Sequence, residues 1–360
     1  MKKILFYIDS MQKGGANRVM ANLTDYFYEK GVDVILVNDV LPNKDIPEYK
    51  VNGLVKRIFL NISEVNIVLS NLKRIIKLRK VILEEKPDCV LSFMGPPNVR
   101  MLLASVFLPC RKVVSVRNDP NREYGRNIIK KTIINCLFLL ADGCVFQTED
   151  ASKYFLKHIR RKSTIILNPV NESFFNTTSL EIRKNIITVG RLYPQKNHKL
   201  LIHAFSMISQ KYPEDKLIIF GEGPLKEELK EYAYNLGIGE RVVFPGAISN
   251  VNIELSQAKV FVLSSDYEGL PNALMEAMAC GTAVVSTDCP SGGPKYLLKK
   301  SNAGILVPCN NTNKMAEAIS IMMSDEMNDF YRKQAKKKSV EFLPKKIFLQ
   351  WEKFLFKLYK

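Results

Sequence analysis

The stretch VFVLSSDYEGLPNALMEAMACGTAVVST is the part of the chain richest in residues able to do chemistry. An apolar run ends at Ser264 and Ser265, and the loop after it carries Asp266, Glu268, Gly269 and Leu270. Pro271 stands where a first helical residue belongs and Gly281 where a helix stops, so the spacing predicts a helix between them. Glu268 then lies in the loop, and Glu276 about a turn and a half into the helix. The amides from Gly269 through Leu270 to Asn272 sit at the helix start, where unpaired N–H groups and the helix dipole favour an anion. A carboxylate on that helix can accept paired hydroxyls such as those of a ribose. Ala273, Leu274, Ala277, Met278 and Ala279 make the helix apolar almost all round, so Glu276 needs a partner or a cleft rather than open solvent.

Other loops carry weaker signals. In IITVGRLYPQKN, Arg191 and Lys196 follow an apolar run on one loop. They can clamp a diphosphate, Arg through its fork and Lys as a point charge, or they are two solvated surface cations. In LIIFGEGPLKEEL, Gly221 and Gly223 permit close backbone approach, to a nucleotide or to a neighbouring turn. Gly14 and Gly15 stand between a first apolar run and a helix beginning near Ala16, either a phosphate loop or a tight turn. The pattern is neither the dinucleotide fingerprint nor a Walker A sequence. The loop VVSVRNDPNREYG holds Arg117, Asn118 and Asp119; Arg117 and Asp119 either contact a ligand or brace one another. Asp266 and Glu268 alone are thin support for a metal, and no metal is expected. His158, His198 and His203 read as surface or helix-packing residues, and no nucleophile–base arrangement stands out.

The elements that must position these loops are legible as alternating short apolar runs and longer amphipathic stretches. Strands are expected at 4–8, 32–38, 56–60, 88–93, 112–116, 143–147 and 164–167, with helices at 16–30, 65–85, 99–107 and 124–140. The runs are continuous in Val, Ile, Leu and Phe rather than alternating, which marks parallel strands buried on both faces. Polar residues between 170 and 184 break the pattern, and it resumes with strands at 186–189, 216–220, 241–244, 260–263, 283–286 and 304–307. The expectation is an α/β protein with two doubly wound domains, 1–170 and 185–325, a linker at 171–184, and basic helices over 326–360 packing back toward the first domain. A cleft at the carboxyl ends of both sheets is where chemistry belongs.

The 360 residues carry 53 Lys and Arg against 36 Asp and Glu, a net charge of +17. Residues 1–170 hold 28 cations and 16 anions (+12), the remainder 25 and 20 (+5). Such an excess implies a polyanionic partner. The helix EVNIVLSNLKRIIKLRKVILEEK sets Lys73, Arg74, Lys77, Arg79 and Lys80 among apolar residues, suiting an anionic membrane leaflet or an ordinary solvated face. A nucleic-acid-binding protein also fits the charge, but RNP-like aromatics, a helix-turn-helix and zinc ligands are lacking, and no nucleic-acid partner is expected. No run reaches the length of a membrane span, and the first apolar run is too short for a signal peptide. Seven cysteines without a C-x-x-C pair fit a reduced cytoplasmic protein.

Together the loops resemble glycosyltransferase family 4, the retaining nucleotide-sugar enzymes with two facing Rossmann-like domains (the GT-B architecture). EGLPNALMEAMACGTAVVST matches the family's Glu–seven residues–Glu signature, VGRLYPQKN its G-R-L…K pattern, and the Gly-Gly loop its N-domain phosphate loop. The resemblance implies that Arg191 and Lys196 bind the donor diphosphate and that Glu276 binds the ribose. It places Glu268 beside the donor sugar, opposed by Gly15. It implies a UDP-sugar donor without cofactor or metal, and front-face attack by the acceptor hydroxyl. Where many members carry a His, this chain has the SVRNDP loop, which resembles that of bacterial capsule, exopolysaccharide and lipopolysaccharide transferases; Arg117, Asn118 and Asp119 are assigned to the acceptor or sugar side. The acceptor is then a polyprenyl-diphosphate-linked saccharide, and the enzyme is peripheral on the inner face of the cytoplasmic membrane. A GT-B-type sugar-nucleotide epimerase is the rival reading.

Overall fold

The structure is a computed structural model describing residues 1–12, 14–42, 46–62, 64–177 and 183–359. The chain forms two compact units, Met1–Asn168 with Ile347–Lys360, and Pro169–Lys346.

The first unit is built on a parallel sheet of β1 (Lys3–Ile8), β2 (Asp33–Asn38), β3 (Lys56–Phe59), β4 (Cys89–Phe93), β5 (Arg111–Ser115), β6 (Gly143–Phe146) and β7 (Ser163–Ile165). Their order is β3-β2-β1-β4-β5-β6-β7, so each apolar run of the first half becomes a strand. Leu5 lies opposite Ile35 on one side and Val90 on the other, which aligns side chains of one parity on one face. The helices are α1 (Gly15–Glu29), α2 (Ile67–Glu85), α3 (Gly95–Ala104), α4 (Pro120–Glu123), α5 (Ile128–Phe138), α6 (Glu149–Ser152) and α7 (Lys157–Arg161). Leu5, Tyr7, Val90 and Val114 pack on one face with Leu78 of α2, Met101 of α3 and Phe138 of α5. On the opposite parity, Phe6 meets Phe27 of α1 with ring centroids 6.0 Å apart. Two helices differ from expectation. The 99–107 helix begins four residues earlier, because Pro96 and Pro97 fit a first turn whose N–H groups need no partner. The 124–140 helix breaks at Gly125, whose φ of +94° no helix accepts, and α5 restarts from the Asn127 cap.

The second unit opens with α8 (Glu172–Phe175), inside the segment expected as a linker. Residues 178–182 of that segment lie outside the described residues. The sheet contains β8 (Lys184–Val189), β9 (Leu217–Phe220), β10 (Val242–Gly246), β11 (Ala258–Leu263), β12 (Ala283–Thr287) and β13 (Ile305–Val307), in the order β10-β9-β8-β11-β12-β13. Around it run α9 (His198–Ile208), α10 (Lys226–Asn235), α11 (Val251–Gln257), α12 (Asn272–Ala279), α13 (Gly293–Leu298), α14 (Thr312–Met323) and α15 (Asp325–Ser339). The last helix is α16 (Pro344–Tyr359).

The segment 326–360, expected as one tail, is divided between the units. Cations of α15 close the carbonyl end of α12: Lys336 Nζ donates to Ala279 O at 2.6 Å and Arg332 Nε to Gly281 O at 3.0 Å. Most of α16 instead belongs to the first unit. Ile347, Trp351 and Leu355 recur at helical spacing and are fully or almost fully buried, with Trp351 stacked on Phe93 at 5.7 Å. Gly143 lets this helix close on β6, since a Cβ there would fall 2.6 Å from Leu358 Cδ1.

Candidate functional site

In an open parallel sheet, a crevice forms where two adjacent strands send their chains to opposite sides. In the second unit that point lies between β8 and β11, and the loops leaving those strands carry Arg191, Lys196 and Glu268. The two loops are sewn together. Asp266 N donates to Gln195 O at 2.9 Å, and Ser264 Oγ donates to Lys196 O at 2.8 Å. Asn197, at φ +43°, donates from Nδ2 to Asp266 Oδ1 at 2.8 Å and caps α9 through its Oδ1. Asp266 is therefore a brace between loops. Among the described residues no group of three His, Cys, Asp or Glu is placed to hold a metal ion.

Within this frame Lys196 Nζ donates to Glu268 Oε1 at 2.5 Å, and Ser265 Oγ donates to the same oxygen at 2.7 Å. Glu268 is 8% exposed. Its backbone is clamped as well, with its N–H donating to Pro290 O and its carbonyl accepting from Ser291 N. A buried carboxylate is tolerated here because a cation and a hydroxyl both address it. An ammonium has three donors, so Lys196 retains two for another anion. Arg191 is exposed, its guanidinium 5.3 Å from the Tyr193 ring, and among the described residues it has no carboxylate partner. His198 is buried, with Nε2 3.4 Å from Arg191 O. Burial lowers its pKa to about 4, so it is a neutral packing residue beneath the loop.

Glu276 is buried one turn inside α12, as the apolar surroundings in the sequence required. Gly269 and Leu270 are buried in the preceding loop, and Asn272 opens the helix. The loop around Gly292 and Gly293 packs tightly against them, since a Cβ on Gly293 would sit 1.9 Å from Gly269 O. Gly221 and Gly223 have a packing reason independent of any ligand. A Cβ on Gly221 would lie 1.9 Å from Gly190 O, and one on Gly223 2.5 Å from Leu192 O. They fix the loop after β9 against the Arg191 loop. Asn197 and Ser291 were given no role in the sequence reading, because their contacts run across 69 and 23 residues of chain; Ser265 was named only as a strand end, although its partner Glu268 is three residues away.

In the first unit the corresponding point lies between β1 and β4. Gly14 caps α1 with an extended backbone (φ −173°) and no side-chain hydrogen bond, and Gly15 is exposed at the first helical position. A Cβ on Gly14 would meet nothing closer than 3.8 Å, so neither backbone nor packing demands glycine there. Arg117 points inward, 7% exposed, with its guanidinium 4.3 Å from the Phe93 ring and 5.4 Å from that of Trp351. Its Nη1 donates to Asn168 Oδ1 at 3.0 Å, while Nε and Nη2 have no acceptor among the described residues. Burial lowers its pKa to about 9, leaving it cationic at neutral pH. The Arg117–Asp119 brace does not form. Asp119 caps α4 through Oδ1 instead, and Asn118 accepts from the Asp119 N–H. Nearby, burial pushes the Glu123 carboxyl up to about 7.

The basic run on α2 is also rearranged by packing. Arg74 Nη1 donates to Ser70 Oγ, and Arg79 Nη1 donates to Ala104 O and Val106 O. Their forks are used within the unit, so these two are not the surface cations the sequence pattern implied. Lys77 Nζ donates to Leu60 O, and Lys73 pairs with Glu64. Lys80 remains largely exposed beside Glu84 at 3.7 Å.

Residues 13–174 match the model of glycosyltransferase family 4, and residues 170–339 that described as glycosyl transferases group 1. The chain is 30% identical to an N-acetylgalactosamine-N,N'-diacetylbacillosaminyl-diphospho-undecaprenol 4-alpha-N-acetylgalactosaminyltransferase of Campylobacter jejuni, covering 95% of this chain and 96% of that protein. It is 23% identical to an amylovoran biosynthesis glycosyltransferase of Erwinia amylovora, over 99% of this chain and 100% of that one. Among solved structures, Anabaena HepE in complex with UDP and glucose superimposes with a TM-score of 0.81 at 17% identity, over 99% of each chain, a likeness of fold alone. With two Rossmann-like parallel sheets and matches running from end to end, the chain belongs to glycosyltransferase family 4 and is a glycosyltransferase of the GT-B fold.

Proposed function

We propose that this glycosyltransferase moves a sugar from a UDP-sugar to a hydroxyl of a polyprenyl-diphosphate-linked saccharide in bacterial surface-polysaccharide synthesis, with retention of configuration and without a metal ion. The observation that carries the reading is the Lys196–Glu268 pair of 2.5 Å at the β8/β11 crevice, with Arg191 on the same loop having no carboxylate partner among the described residues. In the reaction the bond between the anomeric carbon and the diphosphate oxygen breaks, and negative charge grows on that oxygen. Arg191, Lys196 and the amides of Gly269 to Asn272 supply the compensating positive charge. The acceptor oxygen bonds to the anomeric carbon from the face the diphosphate leaves, and its proton passes to the departing diphosphate oxygen. Glu276 accepts the ribose hydroxyls, Glu268 holds Lys196 beside the sugar, and Gly14 with Gly15 leaves backbone N–H groups open to phosphate. Arg117, Asn118 and Asp119 shape the acceptor side.

The lipid-linked acceptor is supported by the Campylobacter relative, whose name specifies an undecaprenol diphosphate, and the UDP donor by the HepE complex. The test is a panel of UDP-sugars, scored for UDP release with and without an undecaprenyl-diphosphate saccharide, with the product linkage read by NMR. UDP release that depends on the acceptor, an axial product from an axial donor, and a rate unchanged by EDTA are expected. An inverted linkage, loss of activity in EDTA, or an epimerised nucleotide-sugar as product would each overturn the corresponding part.

A further inference from the structure

A lysine ammonium stands on a flexible four-carbon stem, so where it points depends on how firmly its backbone is fixed. The backbone around Lys196 is pinned to the loop after β11 at three successive residues. Gln195 accepts at its carbonyl from Asp266 N at 2.9 Å and donates from Nε2 to Tyr267 O at 2.9 Å. The Lys196 carbonyl accepts from Ser264 Oγ at 2.8 Å. Asn197 donates from Nδ2 to Asp266 Oδ1 at 2.8 Å and to Asn310 Oδ1 at 3.0 Å, while its Oδ1 accepts from Leu200 N at 3.3 Å. One side-chain amide thus joins the loops that follow β8, β11 and β13 to the first turn of α9.

A helix cap alone does not account for this residue. Capping uses only Oδ1, and Asp caps as well as Asn. The left-handed backbone, φ +43°, also admits Asp. What Asp lacks is the NH₂ group, and both of its hydrogens have acceptors here. Their place in the chain matters. Asn197 follows Lys196 directly and Asp266 stands two residues before Glu268, so this bond sets the spacing of the two loops whose charges meet at 2.5 Å. We propose that Asn197 is a positioning residue for sugar transfer, which through Asp266 and Asn310 holds the Lys196 loop and so aims its ammonium at the departing diphosphate oxygen. This rests on the role of Lys196 proposed above. A shift of about 1 Å in such a group lowers the rate by on the order of 10²-fold. Ground-state binding of the diphosphate, shared with Arg191 and the amides at the start of α12, changes far less.

The test uses the full chain, steady-state UDP release from the active UDP-sugar of the panel, UDP binding by calorimetry, and melting curves to establish folding. Asn197→Asp keeps the α9 cap and removes both donors. It should lower kcat by roughly 30-fold and change the UDP dissociation constant by less than about threefold. Asn197→Gly, which the same backbone accepts, should behave alike and serves if a second carboxylate beside Asp266 prevents folding. Asn197→Asp combined with Asp266→Asn restores the bond with donor and acceptor exchanged, and the exposed Asn310 amide can turn to donate. That exchange should return kcat to within about threefold of the parent. A parent-like kcat in the folded single variants, or an exchange that folds and stays slow, would overturn the proposal. So would a loss of UDP affinity as large as the loss of kcat, the mark of a site disordered as a whole. Lys196→Ala is measured alongside. If it is slow while the Asn197 variants are not, positioning fails and the role of Lys196 stands; if it turns over like the parent, both fall.

Discussion

Lys196 and Glu268 are 72 residues apart and share one 2.5 Å bond in a mostly buried place. Removing the ammonium leaves the carboxylate with the Ser265 hydroxyl and, in the reaction proposed above, takes a cation from the departing diphosphate. Lys196→Ala should therefore lower kcat with a UDP-sugar by on the order of 10²–10³, read from steady-state UDP release. A second residue-scale prediction concerns Glu123. Its carboxyl oxygens are buried near the Gly95 backbone and the Asp119 charge, and burial raises its pKa from 4.5 to about 7. Because the folded state holds this proton where the unfolded chain has lost it, stability falls as pH rises from about 4.5 to 7 and then levels off. Glu123→Gln should thus stabilise the protein by on the order of 2–3 kcal/mol at pH 8 and change little at pH 4. Urea denaturation at the two pH values checks this, and equal effects at both would rule it out.

At the scale of elements, glycines that look alike in sequence have different reasons to be glycine. Gly221 adopts φ +141° and any Cβ there would collide with Gly190 O, so Gly221→Ala must displace the loop that carries Arg191. A loss of about 2–3 kcal/mol is expected, measured as a lower urea midpoint of the second unit's transition. Gly14 has an ordinary extended backbone and space for a methyl group. Gly14→Ala should leave the melting temperature within about 2 °C of the parent, and if the proposed phosphate loop is right it should reduce turnover, because the added carbon then meets the approaching donor phosphate. A parent-like rate in that variant would remove Gly14 from the site. The sequence carried both Gly-containing loops as candidates; it had no means of telling a glycine needed by a neighbouring loop from one left open.

At the scale of the molecule, the end of the chain completes the unit formed by its beginning. Trp351 is fully buried against Phe93 and Arg117, and Tyr26 OH donates to Glu352 Oε2 at 2.5 Å. Trp351→Ala should cost the first unit about 3–5 kcal/mol and lower its melting temperature, followed by differential scanning calorimetry of the full chain. A melting profile identical to the parent's would show that α16 contributes nothing to that unit. The helices over 326–360 were expected to pack back toward the first domain, whereas α15 packs in the second unit and most of α16 in the first. That division depends on the path of the whole chain.

The sequence by itself determined the strands, because parallel strands covered on both faces must be continuous apolar runs, a signal contained in five or six neighbouring residues. It also placed Arg191, Lys196, Glu268 and Glu276 at strand ends and a helix start, since loop chemistry follows directly from where those runs stop. Only the tertiary structure decided that Lys196 meets Glu268, that Arg117 turns inward beneath Trp351 and not toward Asp119, and that Arg74 and Arg79 are held within the unit. It also decided which apolar stripe of α2 is buried and which is left outside. Periodicity is a property of adjacent residues, whereas pairing across dozens of residues and the choice between two apolar faces are settled by packing, which no local pattern contains.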